Sequence, residues 1–139
     1  MSEASAWSTL RKELKRAGCH IQRFEDKLAQ GIPDANICLD GDEAWLEGKF
    51  LKAWPKRDST LVRITLSPQQ VNWLVDRQSH GGNVFVWMRA PDGWWLFDDN
   101  FSILRKGVIR KELPIMGREY ETARDLVDRV LDDIWRDYD

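Results

Sequence analysis

Asp34, Glu47 and Lys49 set the chemical question: two carboxylates separated by twelve residues, with an amine two positions beyond the second. Between them stands Asp40-Gly41, among the strongest short hairpin signals, so residues 34 to 50 are expected to form a β-hairpin. If Asp40-Gly41 is a two-residue loop, opposed residue numbers sum to 81 and Asp34 faces Glu47. A four-residue loop, Asp40 to Glu43, gives a sum of 83 and sets Asp34 across from Lys49. In both registers Asp34, Glu47 and Lys49 share one face, while Ala35, Ile37, Leu39, Ala44, Leu46, Gly48 and Phe50 form the other. Only a three-residue loop would break this grouping.

Opposed like charges destabilise a strand pair by up to about 1 kcal/mol, and a bound cation reverses that sign. Hard carboxylate oxygens on a rigid hairpin suit Mg²⁺ or Mn²⁺, which are usually held by one or two carboxylates together with substrate phosphate oxygens. Lys49 would then reach the attacked phosphate. The plainer alternative is a polar outer face on which Lys49 screens its neighbours.

The surrounding pattern supplies the elements that must hold this face in place. Trp7, Leu10, Leu14 and Ala17 recur at helical spacing, which predicts a helix over 5–17 with Arg11, Lys12, Lys15 and Arg16 on its other side and Gly18 as its stop. His20 to Phe24 reads as a short strand. Lys52, Lys56, Arg57 and Arg63, interleaved with Trp54 and Pro55, read as an exposed basic loop entering a strand near Leu61 to Leu66. Ser67, Pro68 and Gln70 have the spacing of N-cap, first position and N3 of a helix, which Gly81-Gly82 ends. A second hairpin, Val84 to Met88 and Trp94 to Phe97, turns at Pro91-Asp92-Gly93. Residues 98 to 118 carry no readable pattern. A last helix over 121–138 has Leu126, Val127, Val130, Leu131, Ile134, Trp135 and Tyr138 on one face and a strongly acidic opposite face. The order predicts a mixed α/β layer architecture, a central mixed β-sheet flanked by α-helices.

At 139 residues and 42% hydrophobic content the chain is expected to form one domain over 1–139, which excludes a disordered or fibrous protein. No run approaches the ~18 apolar residues of a membrane span, so no membrane partner is expected. Cys19 and Cys38 have no CxxC spacing and are too few for a disulfide framework, which points to reduced thiols and a cytoplasmic setting. Most of the eight Trp are expected in the core.

Ile32-Pro33-Asp34 followed by Glu47-Gly48-Lys49 resembles the PD-(D/E)xK nuclease signature. The likeness extends through Gly31-Ile32-Pro33-Asp34, Trp45-Leu46-Glu47-Gly48-Lys49, Gln70 with Trp73-Leu74, and Gly81-Gly82 before an apolar strand. In order and spacing these are similar to VRR-NUC and phage-encoded Holliday-junction-resolvase-like endonucleases. The resemblance implies a restriction-endonuclease-like core and a hydrolase that cuts DNA phosphodiesters with Mg²⁺ or Mn²⁺. Asp34 and Glu47, with the Gly48 carbonyl, would be metal ligands, and Lys49 would orient or help deprotonate the attacking water. Glu25 resembles the upstream acidic residue that holds a second metal or a water; its plainer reading is a surface residue at a strand end. Gln70 resembles the additional active-site glutamine, and it is equally the N3 residue of a capping box with Ser67. Gly48 departs from the pattern, since an apolar residue is common between the Glu and the Lys. That lowers strand propensity and leaves room for a metal or substrate backbone.

Branched or duplex DNA is the partner the resemblance implies. Lys12, Lys15 and Arg16, together with Lys52, Lys56, Arg57 and Arg63, are the candidates for phosphate contacts. Junction resolvases act as two-fold pairs, for which the Trp-rich second hairpin or the last helix would be the dimer surface. If the chain is phage-encoded, its setting is the host cytoplasm. The rival readings are a catalytically inactive nuclease-fold module that binds DNA or protein, and a phage interaction protein acting through its acidic last helix. Net charge does not separate them. The total is −2, but residues 119–139 hold eight acidic and three basic side chains, which leaves the first 118 residues at +3.

Overall fold

The computed structural model describes residues 1–25 and 30–135. Helix α1 (Glu3–Arg16) starts at a reciprocal Ser2/Ser5 capping box and buries Ala6, Leu10 and Leu14. Full burial of each leucine contributes roughly 1.5–3 kcal/mol. Gly18, at φ +96°, turns the chain into strand β1 (His20–Arg23). The hairpin follows as β2 (Ala35–Leu39) and β3 (Asp42–Phe50). Strand β4 (Leu61–Val62) and helix α2 (Pro68–Ser79) lead to a second hairpin, β5 (Val84–Ala90) and β6 (Gly93–Phe97). Then come α3 (Phe101–Lys106), β7 (Val108–Ile109), a 3-10 turn (Arg110–Glu112), α4 (Leu113–Met116), β8 (Arg118–Tyr120) and α5 (Ala123–Trp135).

Six strands form one mixed sheet in the order β1-β2-β3-β5-β6-β8. The β3–β5 pair is parallel and every other neighbour in it is antiparallel. Helices α1 and α5 cover one face, where Leu10, Leu14, Ile37, Leu46, Trp87 and Val130 pack together. Helices α2 and α3 cover the other, with Leu74, Val86, Met88, Phe97 and Leu104. Among the described residues no helix is long and apolar enough to cross a membrane.

The expected mixed α/β layering is present, with differences in detail. The strand expected near Leu61 to Leu66 is only Leu61–Val62, paired to the equally short β7. Past Val62 the Ile64 amide donates to Leu104 in α3, away from β7, although residues 61–66 keep alternating exposed and buried. Residues 98 to 118 contain two short α-helices, a 3-10 turn, a short strand and the start of edge strand β8, all too short for periodicity to register. The last helix begins at Ala123, after Thr122 caps the Asp125 amide; Tyr138 lies outside the described residues. The apolar sides of both elements suggested for a two-fold pair are used inside the chain, while Arg124, Asp125, Asp128 and Asp132 of α5 stay exposed. Trp94 to Phe97 are buried, and Leu126, Val127, Val130, Leu131 and Ile134 of α5 pack into the core with α1.

Candidate active site

Register decides where the two carboxylates stand. Strand partners run from Ala35↔Leu46 to Leu39↔Asp42, so the loop has two residues and the numbers sum to 81. Asp40 and Gly41 take φ +52° and +89°, the double left-handed turn that Asp-Gly favours. Extended one step, the register sets Asp34 opposite Glu47. The Asp34 carboxylate reaches across and accepts the Gly48 amide through Oδ2 at 2.9 Å.

Glu47 is the one buried charged residue among those described, at 3% exposure. A carboxylate withdrawn from water costs several kcal/mol unless donors compensate it. Two donors converge on its Oε2: the Gln70 amide Nε2 at 2.9 Å and the Lys49 ammonium at 3.2 Å. Lys49 also donates to the Thr65 carbonyl at 2.7 Å, which anchors its head between β3 and the segment leading to α2. Gln70 is held at both ends of its amide. Its Oε1 accepts the Ser67 amide at 2.9 Å, as a capping box requires, while its Nε2 holds Glu47.

Two glycines make this convergence sterically feasible. At Gly31, φ is +88° and a Cβ would stand 2.4 Å from the Gln69 carbonyl oxygen, so only glycine lets the segment leading to Asp34 touch the first turn of α2. At Gly48 a Cβ would stand 2.2 Å from the Trp87 indole. The departure from the Glu-apolar-Lys pattern therefore has a packing cause. Trp87, the register partner of Gly48 on β5, fills the space an apolar side chain would take, on the sheet face opposite Glu47 and Lys49.

No protein-family model and no curated protein sequence matches the chain. Among solved structures it is similar to Hjc, a Holliday junction resolvase from the archaeal hyperthermophile Archaeoglobus fulgidus, with a TM-score of 0.58 at 20% identity over 87% of this chain and 96% of that one. The chain has an Hjc-like fold.

Within this Hjc-like fold the donor set suits a hard divalent cation. Asp34 and Glu47 supply carboxylate oxygens, and the ladder supplies a third donor. The Trp45 and Leu51 amides point to the β5 side. By two-residue alternation the Gly48 carbonyl therefore points toward Asp34, as its amide does. Glu25 is exposed at the bend after β1, and among the described residues no three acidic, His or Cys side chains converge on one point. The structure thus brings Asp34, Glu47, Gly48, Lys49 and Gln70 together; Glu25 follows Phe24, whose amide donates to the Asp34 carbonyl at 2.8 Å.

The basic candidates divide between the two sheet faces. Lys52, Lys56, Arg57 and Arg63 are exposed on the segment joining β3 to α2, the helix that bears Gln70. Lys12, Lys15 and Arg16 lie on α1, across the sheet from Glu47, and Arg16 is paired with Glu13 at 2.6 Å and Asp128 at 3.8 Å. Trp54 ties the basic segment to the β5–β6 turn: its indole N–H donates to Asp92 at 2.9 Å, and Arg110 lies 4.0 Å over its ring while pairing with Asp92. Sequence reasoning missed Arg105 and Lys106, which join Arg63 around a cleft of about 380 Å³ that includes Thr65. They lie in the stretch without a readable pattern, so no signal placed them beside Arg63. The largest cavity, about 830 Å³ between Asp58, Trp95, Arg110, Arg118 and Tyr120, contains none of the converging carboxylates.

Proposed function

We propose that this protein is a metal-dependent DNA endonuclease, selective for branched DNA such as a Holliday junction or a flap. One observation carries the reading: a buried carboxylate, Glu47, gathers Lys49 and Gln70 on the face where Asp34 stands. A plain structural core has little reason to bury a glutamate and then supply it with donors from two elements. Asp34, Glu47 and the Gly48 carbonyl would hold Mg²⁺ or Mn²⁺, which when bound supplies Lewis-acid polarisation of the phosphate and a more acidic water. Glu25, one residue past the Phe24 amide that donates to the Asp34 carbonyl, would hold a second metal or a metal-bound water.

The chain's own residues then have separable tasks. An ammonium has three N–H donors, and Lys49 engages two of them with Glu47 and Thr65. The third is left for a phosphate oxygen, where a fixed positive charge stabilises the developing negative charge without reorganisation. That favours orientation and charge stabilisation by Lys49 over proton removal. Gln70 holds Glu47 in one rotamer. Water attacks phosphorus in line, the P–O3′ bond breaks, and a proton passes to the departing oxygen, leaving a 5′-phosphate and a 3′-hydroxyl. Lys52, Lys56, Arg57 and Arg63 would position the duplex through its phosphates, while Lys12, Lys15 and Arg16, across the sheet, would add long-range attraction. Branch selectivity is supported by likeness of fold to Hjc and by no single residue.

The test is incubation of the protein with labelled junction, flap, duplex and single-stranded DNA in Mg²⁺, Mn²⁺ or EDTA. Metal-dependent cutting, strongest on branched substrates and lost in Asp34→Asn and Glu47→Gln, is expected. No cutting of any substrate under any metal condition would leave a binding module and sink the enzyme reading.

A further inference from the structure

Three cations surround a cleft lined in part by Thr65, the residue whose carbonyl accepts from Lys49. Arg63 is exposed on the same alternating face as Thr65, whose carbonyl anchors Lys49, and the two residues are about 7 Å apart along an extended chain. Arg105 and Lys106 come from the last turn of α3. Two contacts fix them against Arg63. The Ile64 amide donates to Leu104 at 3.0 Å, and Gly107, at φ +107°, leaves room for Arg63, whose Cγ would stand 2.8 Å from a Cβ there. Among the described residues none of the three forms an ion pair, and no acidic residue lines the cleft. The rest of the lining is Ile64, Thr65 and Leu66.

Like charges held together without a counter-charge repel one another, and an anion relieves that repulsion. Side-chain charge would be easy to disperse on a surface; here the backbone contacts of Ile64 and Gly107 gather it instead. We propose that the Arg63–Arg105–Lys106 cleft binds a phosphate of the substrate strand that flanks the scissile one, and so sets which phosphate reaches Lys49. The proposal rests on the nuclease reading and deepens it. Its ligand is a phosphate monoanion or dianion, either an internal phosphodiester or a terminal 5′-phosphate of the same strand.

The experiment uses the full chain carrying Asp34→Asn, expected to bind without cutting, and fluorescein-labelled junction and duplex DNA. Anisotropy titrations over a range of salt give the slope of log K against log salt. Arg105→Ala with Lys106→Ala is expected to lower that slope by about 1 to 2, as each lost phosphate contact does, and Arg105→Lys with Lys106→Arg to restore it. Methylphosphonate replacement of single phosphates then locates the contact. One flanking position is expected to weaken binding to the Asp34→Asn chain several-fold and to cause no further loss in the double-alanine variant. If the loss instead follows removal of a terminal 5′-phosphate, the cleft stands with that source as its ligand. An unchanged slope, or a methylphosphonate effect equal in both proteins, overturns the cleft while leaving the nuclease reading intact. If the chain without substitutions neither binds nor cuts DNA, both readings fall.

Discussion

Strand β3 presents two different proteins to its two sides. Toward α1 and α5 it shows Ala44, Leu46 and Gly48, and that side of the sheet packs apolar side chains with Trp87 over Gly48. Toward α2 it shows Trp45, Glu47 and Lys49, and there a buried carboxylate sits among aromatic and polar neighbours. Trp45 packs on Phe24 and Trp73 at ring distances of 5.4 and 5.1 Å, walling off the side of Glu47 nearer the hairpin turn. The contrast teaches that one strand separates stability from chemistry residue by residue, because its side chains alternate. A substitution at position 48 should therefore be felt as stability, and one at 47 as function.

The largest effect should come from breaking the polar side. Glu47→Gln and Asp34→Asn are each expected to lower DNA cleavage by at least about 10²-fold, in the range of losing a preorganised charge-stabilising group. Thermal unfolding of Glu47→Gln should stay close to that of the unsubstituted chain, since the amide oxygen still accepts from Gln70 and Lys49 and the repulsion with opposed Asp34 is relieved. A large drop in melting temperature would show that Glu47 belongs to the core and not to the site.

The converse experiment lies on the other side of the same strand. Gly48→Ala should destabilise by about 1–3 kcal/mol, because its Cβ must displace the Trp87 indole, and pairing it with Trp87→Leu should recover part of that loss in a double-mutant cycle. Additive losses in urea titrations would mean that Trp87 is not the obstacle.

Smaller effects should separate the two ends of Gln70. Ser67→Ala removes the cap alone and should cost about 1 kcal/mol with cleavage retained. Gln70→Ala removes cap and Glu47 contact together and should add a 10–100-fold loss of cleavage, the size typical of a residue that orients a ligand. Equal cleavage by the two variants would reduce Gln70 to a capping residue.

The smallest effect concerns the thiols. Burial, and then the neighbouring Cys38, push the Cys19 thiol above its ordinary range, so at any pH below it less reactive thiolate is present. Cys38, half-buried, should be alkylated first, and Cys19 only at higher pH or after unfolding. Mass-resolved alkylation at several pH values checks the order, and faster reaction at Cys19 would contradict its burial.

Much of the polar face was legible before any coordinates. Asp-Gly flanked by alternating residues signals a hairpin, and both plausible even-numbered loops kept Asp34, Glu47 and Lys49 together. Ser67, Pro68 and Gln70 announced the start of α2, and the structure begins it there. The stretch 98 to 118 was not legible, because helices of six and four residues and strands of two and three are shorter than the windows in which periodicity can be measured. Arg105 and Lys106 were missed for the same reason. The place of Lys12 and Lys15 was also hidden, because an amphipathic helix shows which of its faces is buried but not which side of a sheet it covers.

By itself, then, the sequence determined what is local: the hairpin and its face grouping, the cap of α2 and the division of charge between body and acidic end. The tertiary structure decided what depends on residues far apart in the chain. Packing of Trp87 gave Gly48 its reason, the contact of Gly31 with Gln69 carried Gln70 onto Glu47, and the β4–β7 pairing brought Arg105 and Lys106 beside Arg63. The physical reason is range. Turn and cap preferences act within a few bonds, whereas steric fit and the compensation of a buried charge depend on whichever element the fold sets alongside.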